Sequence, residues 1–355
     1  MKRIVLTGGG TAGHVTPNIA LLPRLKELGY DIQYIGSYDG IEKRLIADFD
    51  VPYHGISSGK LRRYRDLKNL TDPFRVIKGC HESRKLLKQL RPNVVFSKGG
   101  FVTVPVVLAA KSLKIPVVLH ESDITPGLAN KICKSAASRI CCNFPETISY
   151  LPEGKAVLTG SPIRKELLTG SADAARRFCG FTDDKPVILV IGGSTGALAV
   201  NQAVRKILPQ LLKRFQVIHL CGKGKLDPDY NNLAGYRQYE YIKAELADMF
   251  ALADVVVSRA GANAICEILA LNKPNILIPL SAQASRGDQI LNAASFEKQG
   301  FSTVIQEEQL TDETLLSAIE NTYLNHEAFT DAMRDSNQDD SITAITDIIE
   351  SVALP

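Results

Sequence analysis

Short apolar runs alternate along the chain with longer stretches in which apolar residues return every three or four positions. Ile4 to Leu6, "DIQYIG", "NVVFS", "PVVLH", "SRICC" and "AVLTG" occupy the first half, and "VILVI", "QVIHL", "QYEYI", "DVVVS", "NILIP" and "STVIQ" the second. Runs so short and so uniformly apolar read as strands buried on both faces, and the periodic stretches between them as covering helices. The pattern predicts an α/β protein with two parallel, helix-covered sheets, whose ligand sites lie beyond the carboxyl ends of the strands and face each other across a cleft.

The two halves repeat each other. "GGTAGHVTPN" (Gly9 to Asn18) lies over "GGSTGALAVN" (Gly192 to Asn201) at an offset of 183, and "LLPRLKELGYDIQYIG" lies over "ILPQLLKRFQVIHLCG" at 186. Each copy reads strand, glycine loop, helix, strand. The domain boundary falls near "LTGSPIR", giving an N-terminal domain of residues 1–163 and a C-terminal one of 164–340. The polar turn "DSNQDD" then precedes an amphipathic helix over about 341–355, which is free to pack back onto the first domain. At 355 residues, two domains are the ordinary expectation.

The copies differ at one informative place: His14 in the first loop is Ala197 in the second, while the glycines are kept. A helix N-terminus offers free N–H groups and the positive end of its dipole, so an imidazole beside it is expected to be neutral at pH 7. A neutral imidazole next to an anion site can take a proton, which makes His14 a candidate general base. A helix-capping or packing histidine fits the same position.

Gly8-x-Gly10-x-x-Gly13 also matches the dinucleotide fingerprint. Its companion, an acidic residue ending the next strand, is missing, because Gly36, Ser37 and Tyr38 intervene before Asp39. No Lys-Ser or Lys-Thr follows the glycines, which excludes a triphosphate-binding P-loop.

In the second half, Gly261 opens a helix after "DVVVS", and Glu267 lies further along it. Helix-start amides suit an anion, and Glu267 is placed to reach the same ligand, with a solvated helix charge the alternative. Asp288 and Gln289 precede another periodic helix and supply the acceptors and donor that a sugar's hydroxyls require, with an N-cap role the simpler alternative for Asp288.

Composition adds three constraints. The net charge is only +4, yet Lys60 to Arg91 carries eleven Lys or Arg against three Asp or Glu, a local +8 that leaves about −4 for the remainder. Phe74, Ile77, Cys80, Leu87 and Leu90 recur near helical spacing among those cations, which include Arg62, Arg63, Arg65, Lys68, Arg75 and Lys78. A solvated face and a face resting on anionic lipid both fit; nucleic acid does not, for want of a recognition motif or aromatic platform. Seven cysteines without a C-x-x-C pair suit reduced thiols and no zinc site. Without a signal-peptide layout or an apolar run near eighteen residues, a cytoplasmic location is expected.

"GGGTAGHVTP", "SKGGFVTVP", "HESDITPGLANK", "LTGSPIR", "IGGSTGALAVN", "SRAGANAICE" and "SRGDQILNA", in this order over almost the whole chain, resemble the MurG family of glycosyltransferases, which have the GT-B fold. The resemblance implies an inverting transfer of N-acetylglucosamine from UDP-N-acetylglucosamine to the C4 hydroxyl of the muramyl sugar of lipid I, giving lipid II. It implies that Ser194, Arg164 and the backbone at Ile242 hold the nucleotide and Glu267 the ribose. The amides of Ala262, Asn263 and Ala264 would face the diphosphate, Gln289 with Asp288 the donor sugar, and Thr11, Ala12 and Gly13 would line the opposing loop. Glu121, Asp123 and Asn130 fall to the acceptor, and Glu121 and Asp123 are the alternative bases. Asp123 stands where many relatives carry asparagine, and Asp288 where others carry a second glutamine. No cofactor or metal is implied; an anionic membrane on the cytoplasmic side, bound peripherally, and other cell-wall synthesis proteins are the expected partners. Two other classes remain open: a nicotinamide oxidoreductase, and a non-catalytic polyprenyl-lipid-binding protein. A hydrolysing UDP-N-acetylglucosamine epimerase would share the architecture without needing the basic face.

Overall fold

The computed structural model describes residues 1–59, 68–193, 196–283, 287–336 and 340–355. Arg62, Arg63, Arg65 and Ser194 lie outside the described residues, as does the side chain of Lys68. The chain forms two compact units, Met1–Arg164 with Asp340–Pro355, and Lys165–Asp339. Arg164 is therefore the last residue of the first unit before the chain leaves it.

The first unit is a seven-stranded parallel sheet in the order β3-β2-β1-β4-β5-β6-β7. Its strands are β1 (Arg3–Thr7), β2 (Asp31–Ser37), β3 (Tyr53–Ile56), β4 (Val94–Ser97), β5 (Val117–Glu121), β6 (Arg139–Cys142) and β7 (Ala156–Leu158). The helices are α1 (Thr16–Glu27), α2 (Ile41–Ile46), α3 (Lys68–Leu90), α4 (Thr103–Ser112) and α5 (Leu128–Cys133). Alternation along β1 divides the core: Ile4 and Leu6 pack with Leu21 and Leu25 of α1, whereas Val5 packs with Leu87 of α3 and Val106 of α4. β3, "YHGI", carries too little apolar signal to be read as a strand from sequence.

The second unit has α6 (Ala172–Cys179), β8 (Val187–Ile191), α7 (Leu198–Leu211), β9 (Gln216–Leu220), β10 (Tyr236–Tyr239), α8 (Leu246–Leu252), β11 (Val255–Ser258), α9 (Ala262–Ala270), β12 (Asn275–Leu277), α10 (Asp288–Lys298), β13 (Thr303–Val304), α11 (Asp312–Leu324) and α12 (His326–Arg334). Its sheet is also parallel, in the order β10-β9-β8-β11-β12-β13. β10 begins two residues before the "QYEYI" stretch and stops within it.

Both sheets reverse direction beside their first strand, between β1 and β4 and between β8 and β11. That is where α/β sheets open a crevice at the strand ends. The last helix, α13 (Ser341–Val352), belongs to the first unit: Ile345 and Ile349 are fully buried in the cluster of Ile4, Leu21 and Phe96. Full burial of each such side chain is worth about 1.5–3 kcal/mol. Glu350 binds Lys2 at 3.0 Å and the Tyr30 hydroxyl, and Leu354 N–H donates to Asn93 O at 3.0 Å.

The duplication extends to two buried asparagines at the repeat offset. Asn18 Nδ2 donates to Thr7 O at 3.3 Å and to the Tyr34 hydroxyl at 3.2 Å. Asn201 Nδ2 donates to Cys221 O at 2.9 Å, while its oxygen pairs with His219 Nε2 at 3.0 Å. Each ties the start of a helix to the end of a strand, where buried polar groups need partners. Burial, with the nearby Arg205 charge, depresses His219 to about 3. The unfolded chain takes up a proton near pH 6.5 that the folded imidazole refuses, so the stabilisation is complete above 6.5 and is lost as pH falls toward 3. The His219 ring resonances should not titrate between pH 8 and 5, and the second unit should lose roughly 1 kcal/mol per pH unit below 6.5 on this account. A ring titration centred near 6.5 would contradict the buried neutral imidazole.

Candidate active site

The first glycine loop leaves β1 at Gly8 and passes through a single 3-10 turn, Ala12–His14, before α1 begins at Thr16 with Pro17 in its first turn. His14 thus closes a tight turn ahead of the helix and is not part of the α-helical first turn itself. Thr11 is exposed, and Ala12, Gly13 and His14 are half-buried. Thr11 Oγ1 and His14 Nδ1 are 3.0 Å apart. If Nδ1–H donates to Thr11, the lone pair lies on Nε2, which is the tautomer a base acting through Nε2 requires.

The loop after β4 crosses directly beside it. Gly9 N–H donates to Gly99 O at 3.4 Å. Gly100, at φ +89°, has no room for a side chain, since an added Cβ would collide with Gly9 O and come within 3.2 Å of His14 Nδ1. The Phe101 ring lies against Gly10 in the same way.

Beneath these loops sits a polar cluster that the sequence reading did not identify. Lys98 is only 1% exposed, and its Nζ lies 3.0 Å from His120 Nδ1 and donates to Ser122 Oγ. His120 Nε2 pairs with Gly160 O at 3.0 Å, which fixes Nε2–H as donor and Nδ1 as acceptor. Complete burial and the Lys98 charge hold this imidazole well below its ordinary pKa.

The neighbouring Glu121 is buried and accepts from Ser122 N–H (3.0 Å), Asp123 N–H (3.2 Å), Gly127 N–H (3.0 Å) and Asn130 Nδ2 (2.8 Å). Burial raises its pKa. Glu121 and Asn130 are thus brought together to shape the loop after β5. Asp123 is half-buried on that loop, and its carbonyl accepts from Thr147 Oγ1 at 3.3 Å.

In the second unit the equivalent loop follows β8. Gly196 is pressed against the end of β9, where an added Cβ would collide with Cys221 O, and Lys225 Nζ donates to Gly196 O at 3.0 Å. α9 starts from Gly261, where an added Cβ would meet no atom of the described residues within 4 Å. Ala262 is buried, whereas Asn263, Ala264 and Glu267 are half-buried, and Asn263 and Glu267, four residues apart, share one helix face.

Arg259 and Asn292 hold this helix start in place. Arg259 Nη1 donates to Ile278 O and Pro279 O at 3.1 and 3.3 Å, and its guanidinium pairs with Glu307. Asn292 Nδ2 reaches Ala260 O at 3.3 Å. Gly287 is the N-cap of α10, so Asp288 is its first helical residue and not its cap. Gln289 Oε1 accepts from Leu280 N–H at 3.0 Å, which leaves its NH2 as the group that can address a ligand. Ile242 is buried in the turn after β10, and Arg164 has its Nε buried without a hydrogen-bond partner.

On α3 the apolar stripe divides. Leu87 and Leu90 are buried, but Phe74 is 74% and Ile77 67% exposed, beside the exposed Arg75 and Lys78. No described helix is long and apolar enough to cross a membrane.

The chain matches the glycosyltransferase family 28 N-terminal domain over residues 4–142 and the family 28 C-terminal domain over residues 187–352. It is 67% identical over 354 residues to the UDP-N-acetylglucosamine--N-acetylmuramyl-(pentapeptide) pyrophosphoryl-undecaprenol N-acetylglucosamine transferase of Lachnoclostridium phytofermentans, covering 100% of both chains. The enzyme of the same name from Lachnospira eligens is 64% identical, with 99% of both covered. Among solved structures, Acinetobacter baumannii MurG superposes with a TM-score of 0.78 at 26% identity, over 99% of this chain and 100% of that one. The calicheamicin glycosyltransferase CalG4, at 14% identity and a TM-score of 0.72 over 99% and 98%, shares the fold. With two parallel sheets of the GT-B type and this likeness end to end, the chain belongs to the MurG family within glycosyltransferase family 28.

Proposed function

We propose that the chain transfers N-acetylglucosamine from UDP-N-acetylglucosamine to the C4 hydroxyl of the muramyl sugar of lipid I, with inversion, and so forms lipid II. The observation that carries the division of labour is the contrast between the duplicated loops: the first holds His14 beside Gly100 of the loop after β4, and the second holds Ala197. The second unit binds the donor. The amides from Ala262 onward face the diphosphate, Glu267 takes the ribose hydroxyls, and the Gln289 NH2 with Asp288 addresses the sugar. Ser194 and the Ile242 backbone complete the nucleotide site on that unit, and Arg164, the last residue before it in the chain, is assigned to the nucleotide as well.

The chemistry follows from where charge develops. The acceptor O4 bonds to C1 of the donor sugar as the bond from C1 to the diphosphate oxygen breaks, and the electron pair leaves with UDP. Oriented helix-start amides stabilise that oxygen without reorganising. The O4 proton passes to His14 Nε2. With Nδ1–H donating to the Thr11 hydroxyl 3.0 Å away, the Nε2 lone pair is the one left to take it. Asp123 meets the acceptor on the loop that Glu121 and Asn130 shape.

The basic segment supports peripheral attachment to an anionic membrane at the cytoplasmic face. A merely solvated amphipathic helix would bury its whole apolar stripe, whereas Phe74 and Ile77 lie open beside Arg75 and Lys78. Each Lys or Arg near such a surface contributes about 1 kcal/mol. Other cell-wall synthesis proteins are the natural further partners on that surface.

Radiolabel transfer from UDP-N-acetylglucosamine to a short-chain lipid I analogue tests the activity directly. In that assay His14→Ala should lower kcat by about 10²- to 10⁴-fold and abolish the acidic limb of the kcat/KM profile. A variant that keeps both its kcat and that limb would assign the proton to another group. Replacing Arg62, Arg63 and Arg65 together by glutamine should reduce sedimentation with anionic vesicles, most visibly at low salt, while transfer to a soluble acceptor is retained. Equal sedimentation of variant and parent would make the stretch an ordinary solvated face.

A further inference from the structure

Glu42 belongs to none of the motifs above, yet its side chain is fully buried. It lies in the first turn of α2, just beyond the end of β2. One carboxylate oxygen accepts from Gly10 N–H at 3.1 Å; the other accepts from Ser37 N–H at 3.0 Å and from the Ser37 hydroxyl. Gly10 is otherwise exposed, so its amide is turned inward to meet this acid.

The surroundings are shaped around that carboxylate. A Cβ on Gly9 would come within 2.5 Å of it, one on Gly36 within 2.8 Å of the Glu42 side chain, and one on Gly40 would collide with it. In a dinucleotide-binding fold the acid after the second strand reaches out to a ribose. Here the acid in that region reaches the glycine loop's own backbone instead.

We propose that Glu42 is a positioning residue for the transfer reaction, anchoring the Gly8–His14 loop from below so that His14 is held in register with the acceptor hydroxyl. The proposal rests on the reading of His14 as the base. Hydrogen bonds to a buried carboxylate are charge-assisted and strong, and losing one strands the partner amide. Glutamine keeps the size of the side chain but only one acceptor oxygen. With that oxygen kept on the two Ser37 donors, its NH2 meets the Gly10 N–H donor to donor, and the loop loses its anchor.

In Glu42→Gln, kcat for transfer should fall about 10- to 100-fold, as a small displacement of a catalytic group does, with the KM for UDP-N-acetylglucosamine within about twofold. Added to His14→Ala, the same substitution should cost nothing further, because the group it positions is already gone. In the unaltered protein, hydrogen exchange at the Gly10 amide should be as slow as in the core strands, a measurement that needs no variant to fold. Full kcat in Glu42→Gln beside a crippled His14→Ala enzyme, an equal loss from Glu42→Gln in both backgrounds, or rapid exchange at Gly10 would each overturn the proposal alone. Full kcat in His14→Ala would overturn it together with the base assignment.

Discussion

The contact on which the position of the His14 loop depends is the crossing of two backbones at the reversal point of the first sheet. β1 and β4 lie side by side, and the helices that follow them, α1 and α4, pack on opposite faces of the sheet. Gly100 must pass against Gly9 and the His14 ring, with no space for a side chain. Any substituent there would displace the loop that carries the imidazole. The strands set the distance between the loops, and the glycines permit it.

The second unit uses the same arrangement for a different purpose. Its reversal lies between β8 and β11, its first loop is pressed against Cys221, and α9 begins at Gly261. The loop after β8 carries Ala197 where its counterpart carries His14; on the reading proposed above the leaving group is held by the α9 amides, where fixed N–H dipoles serve and a proton acceptor does not. Buried asparagines at the repeat offset, Asn18 and Asn201, tie helix to strand in both copies. One strand–loop–helix scaffold is thus present twice, with the histidine kept in one copy alone.

Much of this was legible in the sequence because it depends on apolar patterning and glycine placement. Uniform apolar runs gave the parallel strands, and the offsets of 183 and 186 gave the repeat. What escaped has a common cause: a buried polar residue is indistinguishable in sequence from a surface one until its partners are known. Glu42, Lys98, His120 and Arg259 all look like solvated charges, yet each is buried or nearly so and bonded to a loop. The division of the α3 stripe was invisible for a related reason, since helical spacing reports which residues share a face and not what covers it. β3 is too short and mixed to announce itself, and a 3-10 turn before α1 has no compositional mark. Glu121 and Asn130 were found by motif, but only the geometry reveals that they bond to each other.

The central claim is that the nucleotide belongs to α9 and its flanking loops, while the first unit's loop supplies the base. Calorimetric titration of UDP into Glu267→Ala and His14→Ala tests it most directly. Loss of a charge-assisted ribose contact should weaken binding about tenfold or more in Glu267→Ala, and His14→Ala should bind UDP within about twofold of the parent. Unchanged affinity in Glu267→Ala, with binding lost in His14→Ala, would contradict the assignment of the two loops.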